Sequence, residues 1–346
     1  MRLVRRHPKP QPPASPYDAD DSRRWIALGV LLLAAAIDLI GSTIATLALL
    51  VIGRDLGAGE ATLEWIVAGY GLAFALGLIT GGRLGDVVGR RRVFRRWALE
   101  SAALDLALRQ AGRSLASLLA RSPRPVTFVN SLRLPDPPTS EPIRERLERF
   151  PELRFKLEPT AAWSDELIAE IAATGAVDTL DLKAQYPPDS SAAQPPDPPL
   201  YGQLADAFPH AWIEDPAITP DTWTVLKPHR KRIAWDANLR SLADLEQITP
   251  RPGAVNVKPV RFGTLRTLLD VYDRCAADGI PMYGGGFDEL GPGRHQIQYL
   301  ASLFHPDAPN DVAPADYNRE QLTRTLPTSP LDPTPATTGF RWATAE

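Results

Sequence analysis

Two long apolar runs lie near the start of the chain, and short β-branched runs alternating with amphipathic stretches fill most of the remainder. Trp25 to Ile52 reads WIALGVLLLAAAIDLIGSTIATLALLVI and carries a single charged residue, Asp38. The run exceeds the roughly 20 apolar residues that cross a bilayer, which predicts a transmembrane helix. A signal peptide has a shorter apolar region, about 7 to 15 residues, followed by a small-residue cleavage site that is not evident here. A second run, WIVAGYGLAFALGLITGG over 65–82, carries Gly69, Gly71, Ala73, Ala75 and Gly77, small residues that let two helices approach closely. Together they predict a two-span hairpin. Arg2, Arg5, Arg6, Arg23 and Arg24 precede it, Arg83, Arg90, Arg91, Arg92, Arg95 and Arg96 come after it, and the connecting loop holds only Arg54. That bias puts both ends on the cytoplasmic side. Asp38 inside the apolar run is costly unless it pairs or faces a cavity, which marks it as functional.

Beyond Trp97 the period changes. Strands are predicted over 126–134, 153–158, 177–183, 210–216, 232–237, 254–259 and 281–286, with NDVAP over 310–314 as an eighth. Between them lie helical stretches such as SDELIAEIAATG and GTLRTLLDVYDRCAADG, the latter bounded by glycines. Strand and helix alternate at the spacing of βαβ units, which specifies an α/β fold, either a barrel or a doubly wound sheet. Seven or eight units favour the barrel.

Composition refines this picture. In a chain of 346 residues, a 44% hydrophobic content supports a sizeable core and excludes disorder throughout. A net charge of −3 and a pI near 6.0 argue against a nucleic-acid partner, and the basic cluster from Arg83 to Arg96 is local. Cys275 is the only cysteine, so disulfides and thiolate metal cages are excluded, and it reads as a buried apolar residue. Proline concentrates in the first sixteen residues, in 187–199 and after Leu326, which predicts flexible segments there. The resulting partition is a tail over 1–24, the hairpin over 25–96, the barrel over 97–320 and a second tail over 321–346. His210, His229, His295 and His305 lack metal-ligand spacing and are expected at the surface or at helix caps. No phosphate-loop pattern occurs.

Charged residues interrupt or end the predicted strands, one per unit: Lys156, Asp181, Glu214, Asp236 and Lys258. Barrel sites are assembled from the carboxyl ends of successive strands, so these five side chains should converge. Three converging carboxylates repel unless a hard cation sits among them, and all-oxygen ligation suits Mg²⁺. Two lysines beside such an ion allow one to remove a proton alpha to a carboxylate and the other to return it. Arg154, two residues before Lys156, is expected to lower the pKa of that lysine.

Two resemblances bear on these residues. AIDLIGSTIATLALLVIGRDLGAGEATLEWIVAGYGLAF followed by GGRLGDVVGRRRVF resembles the opening of a major facilitator superfamily drug:proton antiporter. Gly82, Asp86, Gly89, Arg90 and Arg91 match the antiporter loop pattern, as does Gly85, while Val87 stands where an arginine is usual. Such transporters need many more spans around a central site, so the resemblance implies a membrane anchor through residues 25–82, with a truncated transporter fragment as the alternative. The second resemblance runs over 98–318, through RFKLEP, DTLDLKAQY, AWIEDP, AWDANLRS, VNVKPVRFG and GIPMYGGGFDELGPGRHQIQYLASLFHPDAPNDVAPADYN. These are similar to the enolase superfamily, in the branch of muconate cycloisomerases and o-succinylbenzoate synthases. The resemblance implies an enolase-type (β/α) barrel, (β/α)7β-like, acting on a small carboxylate by cycloisomerisation, dehydration or racemisation. It implies Lys156 and Lys258 as the acid/base pair and Asp181, Glu214 and Asp236 as Mg²⁺ ligands. Gly285, Gly286 and Glu289 would line the mouth of the barrel. Phe287, Asp288 and Val260 depart from the expected pattern. Superfamily barrels are closed by a capping domain built largely from preceding residues, a stretch occupied here by membrane sequence, so the expectation is weakened turnover. The implied location is a membrane-anchored protein with its barrel in the cytoplasm, or a cytoplasmic one if the hairpin is an assembly artefact. The oligomeric state is not specified by the sequence.

Overall fold

The computed structural model describes residues 91–186, 190, 193–287, 289–318 and 326–342. The hairpin expected over 25–82, with Asp38, Gly82, Asp86, Gly89 and Arg90, lies outside the described residues; Arg91 begins a helix. Among the described residues no helix is long and apolar enough to cross a membrane.

Helix α1 (Arg91–Gln110) turns Trp97, Ser101 and Leu108 inward, and the chain leaves it through Gly112 at φ 62°. Helix α2 (Leu115–Leu119) is next, capped by the Ser114 side chain, which accepts the N–H of Ser117. From there strands and helices alternate. They are β1 (Val129–Leu132), α3 (Glu141–Arg149), β2 (Arg154–Leu157), α4 (Asp165–Ala173), β3 (Val177–Asp181), α5 (Pro198–Ala207) and β4 (Trp212–Glu214). Then come α6 (Pro220–Leu226), β5 (Ile233–Trp235), α7 (Leu242–Gln247), β6 (Ala254–Val257), α8 (Pro259–Phe262), α9 (Leu265–Ala277), β7 (Met282–Gly284) and α10 (Pro292–Phe304). Helix starts are set by side-chain caps: Ser164 for α4, Asp197 for α5, Ser241 for α7 and Thr264 for α9 each accept an N–H of the first turn. Thr219 and Thr222 form a reciprocal capping box at α6.

The seven strands form one sheet in sequential order, and every adjacent pair is parallel. That order, with a helix on each crossover, fits a curled enolase-type barrel. Strand side chains alternate: Phe155 and Leu157, or Val255 and Val257, join apolar clusters with the surrounding helices. The residues between them, Lys156 and Asn256, are buried among polar partners instead. The barrel interior is therefore partly polar, and that polarity builds the site.

The eighth strand expected over 310–314 is reduced to one bridge, Phe128 with Asn310. The Asn310 backbone exchanges hydrogen bonds with Thr127 and Val129 beside β1, and its side-chain oxygen accepts the N–H of Gly284 in β7 at 2.6 Å. Asp311 N–H adds a bond to Gly284 O. A pair of residues thus bridges the sheet edges where a strand was expected. The region after Leu326 also differs from expectation. Residues 326–342 pack onto the barrel: Phe340 and Trp342 are buried, Leu331 exchanges backbone bonds with Val126, and Leu115 N–H donates to Gly339 O. Aromatic anchors outweigh the proline-rich composition there.

Candidate active site

Asp181 ends β3 and Glu214 ends β4, and the two are direct register partners across the sheet. Asp236 and Lys258 are the residues immediately after β5 and β6, and Lys156 is the third residue of β2. All five are buried. Asp181, Glu214 and Asp236 each present an oxygen within 4.8 Å of the others. Around the three carboxylates stand four cations. Lys156 Nζ lies 2.6 Å from Glu214 Oε1 and 3.0 Å from Asp181 Oδ2. Lys183 Nζ lies 2.6 Å from the same Asp181 oxygen, which receives no well-aligned hydrogen bond from either amine. Lys258 is 3.0 Å from Asp236 Oδ2, and Arg261 grips both Asp236 oxygens at 2.6 and 3.2 Å. Glu214 also accepts Asn256 Nδ2 at 3.1 Å and the Tyr283 hydroxyl at 2.6 Å.

The electrostatics arise from this crowding. Burial alone raises Glu214, and the Asp181 charge adds to it despite Lys156, so the carboxyl is pushed up to about 8. Burial opposes ionisation at Asp181 and Asp236 too, but Lys156 and Lys183 hold Asp181 low, and Arg261 and Lys258 hold Asp236 low. Lys156 would fall with burial, yet Asp181 and Glu214 lift it well above the ordinary lysine value. The donor set itself, three buried carboxylates around one point with an oxygen short of hydrogen bonds, fits a hard divalent cation.

The expected role of Arg154 needs correction. It starts β2 at the end away from Lys156 Nζ, binds the Asp178 carboxylate and donates to Gly175 O at 2.8 Å. Its charge is spent on that pair, and the lysine it was expected to depress is raised by the carboxylates it touches. At Gly285 a Cβ would lie 2.8 Å from Lys258 Cε and 2.5 Å from Asn256 Oδ1, so a larger residue would press on both of these side chains. Gly286 lines the cavity, and Glu289 works beneath it, accepting the Phe287 N–H at 2.6 Å and so shaping the turn. Phe287 lays its ring 4.9 Å from Lys258 Nζ and 4.7 Å from the Arg261 guanidinium, and Phe94 of α1 meets it at 5.2 Å. The side chain of Arg91 is outside the described residues, as is Asp288.

A cavity of about 410 Å³ opens above these groups, lined among others by Glu158, Lys183, Tyr186, Lys258, Phe287 and Asp311. Sequence reasoning missed Lys183, Arg261, Asp215, Asn256 and Tyr283. Asn256 carried a signal as a polar residue between two valines, and Lys183 and Asp215 as charges at the ends of the strands predicted over 177–183 and 210–216. His305, expected at the surface or at a helix cap, is the C-cap of α10, but it is buried rather than at the surface, with Nδ1 donating to Asn310 Oδ1 at 2.6 Å.

Comparison with known proteins divides the chain. The model described as the domain of unknown function DUF8230, C-terminal domain, matches residues 122–319, and its N-terminal companion matches 88–118. The Major Facilitator Superfamily model matches 31–99. The probable actinorhodin transporter of Streptomyces coelicolor is 48% identical over 73 residues, 21% of this chain and 13% of the transporter. The N-succinylamino acid racemase of an Amycolatopsis species is 31% identical over 231 residues, 63% of this chain and 60% of the racemase. The chain thus spans under two thirds of the length of either relative. A solved enolase-superfamily structure from Listeria innocua superposes with a TM-score of 0.54 at 22% identity, over 70% of each chain, a likeness of fold. The chain joins a transporter-like N-terminal stretch to an enolase-like barrel.

Proposed function

Because this chain belongs to the DUF8230 family, whose description assigns no reaction, we propose from the site itself that it is an enzyme of the enolase-superfamily kind. It would take a proton from the carbon alpha to a carboxylate with Mg²⁺ at Asp181, Glu214 and Asp236. The observation that carries the reading is the meeting of those three buried carboxylates within 4.8 Å of one another, between the amines of Lys156 and Lys258. The similar racemase and the shared fold support the class; racemisation, cycloisomerisation and dehydration all begin with this step.

The bound Mg²⁺ would supply positive charge against which the substrate carboxylate becomes an enediolate. The chain's own residues do the rest. Lys156 on β2 and Lys258 beyond β6 reach the site from different strands, so one removes the proton and the other delivers it. Asp236 fixes Lys258, and Arg261 fixes Asp236. Phe287 shields Lys258 from water on the cavity side. The test is solvent deuterium exchange into N-acylamino acids with Mg²⁺ present. Exchange that stops on adding a chelator, and that Lys258→Ala loses for one enantiomer, is expected; none with any of a panel of alpha-substituted carboxylates would overturn the reading.

We also infer that residues 25–82 anchor the barrel to a membrane, supported by the transporter match over 31–99. Carbonate extraction of the expressed chain should leave it in the membrane fraction. The alternative, a transporter fragment, requires proton-coupled flux in reconstituted vesicles that depends on Asp38.

A further inference from the structure

Four cations face three carboxylates in this site, and one of the four is placed differently from the rest. Lys156 is buried to 1% exposure and is pinned between Glu214 and Asp181, while Lys258 and Arg261 both serve Asp236. Lys183 stands at the cavity wall with its side chain 11% exposed, between Asp181 at 2.6 Å and Glu158 at 3.2 Å. Its backbone is held in the left-handed region at φ 52°, with its own N–H donating to Asp181 Oδ1 at 3.2 Å. The loop therefore aims the ammonium back at the carboxylate that precedes it by two residues. A non-glycine residue adopts that backbone only at a cost, so the placement is imposed by the fold.

The ammonium lies against the oxygen that a divalent ion at this site would use. Hard cations bind carboxylate oxygens at about 2.1 Å and tolerate no competing positive charge in that position. Lys156, 1% exposed, has Asp311 only at 3.6 Å beyond its two partners, whereas Lys183 stands at the cavity wall with Glu158 beside it at 3.2 Å. We propose that Lys183 is a built-in competitor for the cation: metal entry displaces its ammonium from Asp181 toward Glu158, and the chain binds divalent metal weakly for that reason. The proposal rests on the metal reading given above and adds a residue that tunes it.

The test is Mn²⁺ binding to the full chain in detergent, monitored by the loss of the free-ion paramagnetic resonance signal. Lys183→Met should bind Mn²⁺ at least about tenfold more tightly than the wild type, and Lys183→Arg, which keeps the charge, should stay near wild type. Glu158→Gln, which removes the place of retreat, should weaken binding several-fold and gives a reading that does not depend on Lys183→Met folding. Unchanged affinity in Lys183→Met or in Glu158→Gln, with binding still abolished by Asp181→Asn, overturns the competitor role and leaves the metal site standing. No saturable Mn²⁺ binding in the wild type or in Lys183→Met overturns the competitor role together with the metal reading.

Discussion

Asp215 holds the strand end next to its own: its two carboxylate oxygens accept the backbone N–H groups of Asp236 at 2.8 Å and Ala237 at 2.9 Å. It is fully buried and sits at φ 50°, a backbone setting that aspartate tolerates better than most residues. The tie fixes where Asp236 leaves β5, and so where its carboxylate meets Lys258 and Arg261. Asp215→Ala strands two buried N–H groups, each costing about 1 to 3 kcal/mol when unpaired, so a loss of about 3 kcal/mol is expected. Asp215→Asn keeps one acceptor oxygen and should lose about half as much. Urea denaturation of the two variants checks the order; an alanine variant within about 1 kcal/mol of wild type would mean that the N–H groups find other partners.

Lys156 lies in β2 and Lys258 directly follows β6, strands separated by three others in the sheet order. Each amine is therefore expected to serve one face of the alpha carbon. Lys156→Ala should lose deuterium exchange with one enantiomer of an N-acylamino acid and keep partial exchange with the other, and Lys258→Ala should show the reverse preference. A loss of a thousandfold or more is the expected size for the affected enantiomer, in line with removal of a positioned base. Chiral chromatography with mass detection reads both at once, and equal losses for both enantiomers in both variants would refute the two-faced arrangement.

The strand period made the barrel legible, because each of the first seven predicted strands carries an apolar run and is followed by a helix. The three carboxylates and two lysines were legible for a related reason: a charge that ends an apolar strand has few places to go except the barrel mouth. What escaped was decided by distance in the fold. Arg261 matters through Asp236 and Tyr283 through Glu214, pairings across separate βα units that no local pattern encodes. Arg154 shows the converse error, since sharing a strand with Lys156 did not place it at the same end. Residues 326–342 were misread because proline content was weighed above Phe340 and Trp342, whose burial holds the segment in place.

Phe94 and Phe287 join the first described helix to the barrel mouth, ring centres 5.2 Å apart and each residue 39% exposed. An aromatic pair of this kind contributes about 0.5 to 1.5 kcal/mol beyond its burial, with exposure favouring the lower end. A double-mutant cycle of Phe94→Ala, Phe287→Ala and the pair should give a coupling energy of about 0.5 kcal/mol or more in thermal or urea unfolding. Phe287→Ala alone should also raise KM, since it uncovers Lys258 and Arg261, whereas Phe94→Ala should raise it less. Additive single effects within experimental error would show that the two rings do not support each other.

His305 carries the pH dependence that can be assigned most simply. Burial pulls it down from 6.5 to about 4, only partly offset by its bond to Asn310, so the folded protein keeps the ring neutral where the unfolded chain would charge it. A depressed folded pKa contributes stability that is fully present above pH 6.5 and is lost as pH falls toward about 4. The difference corresponds to about 3 kcal/mol across that window. Because His305 Nδ1 supports Asn310 Oδ1, and Asn310 bridges β7 to the stretch beside β1, acid is expected to loosen the barrel at this seam first. His305→Gln lowers stability at neutral pH through lost packing, but its stability should change less between pH 6.5 and 4 than that of the wild type. Denaturation midpoints of both proteins across that range decide the matter: curves that converge as pH falls fit the assignment, and parallel curves exclude His305 as the titrating group.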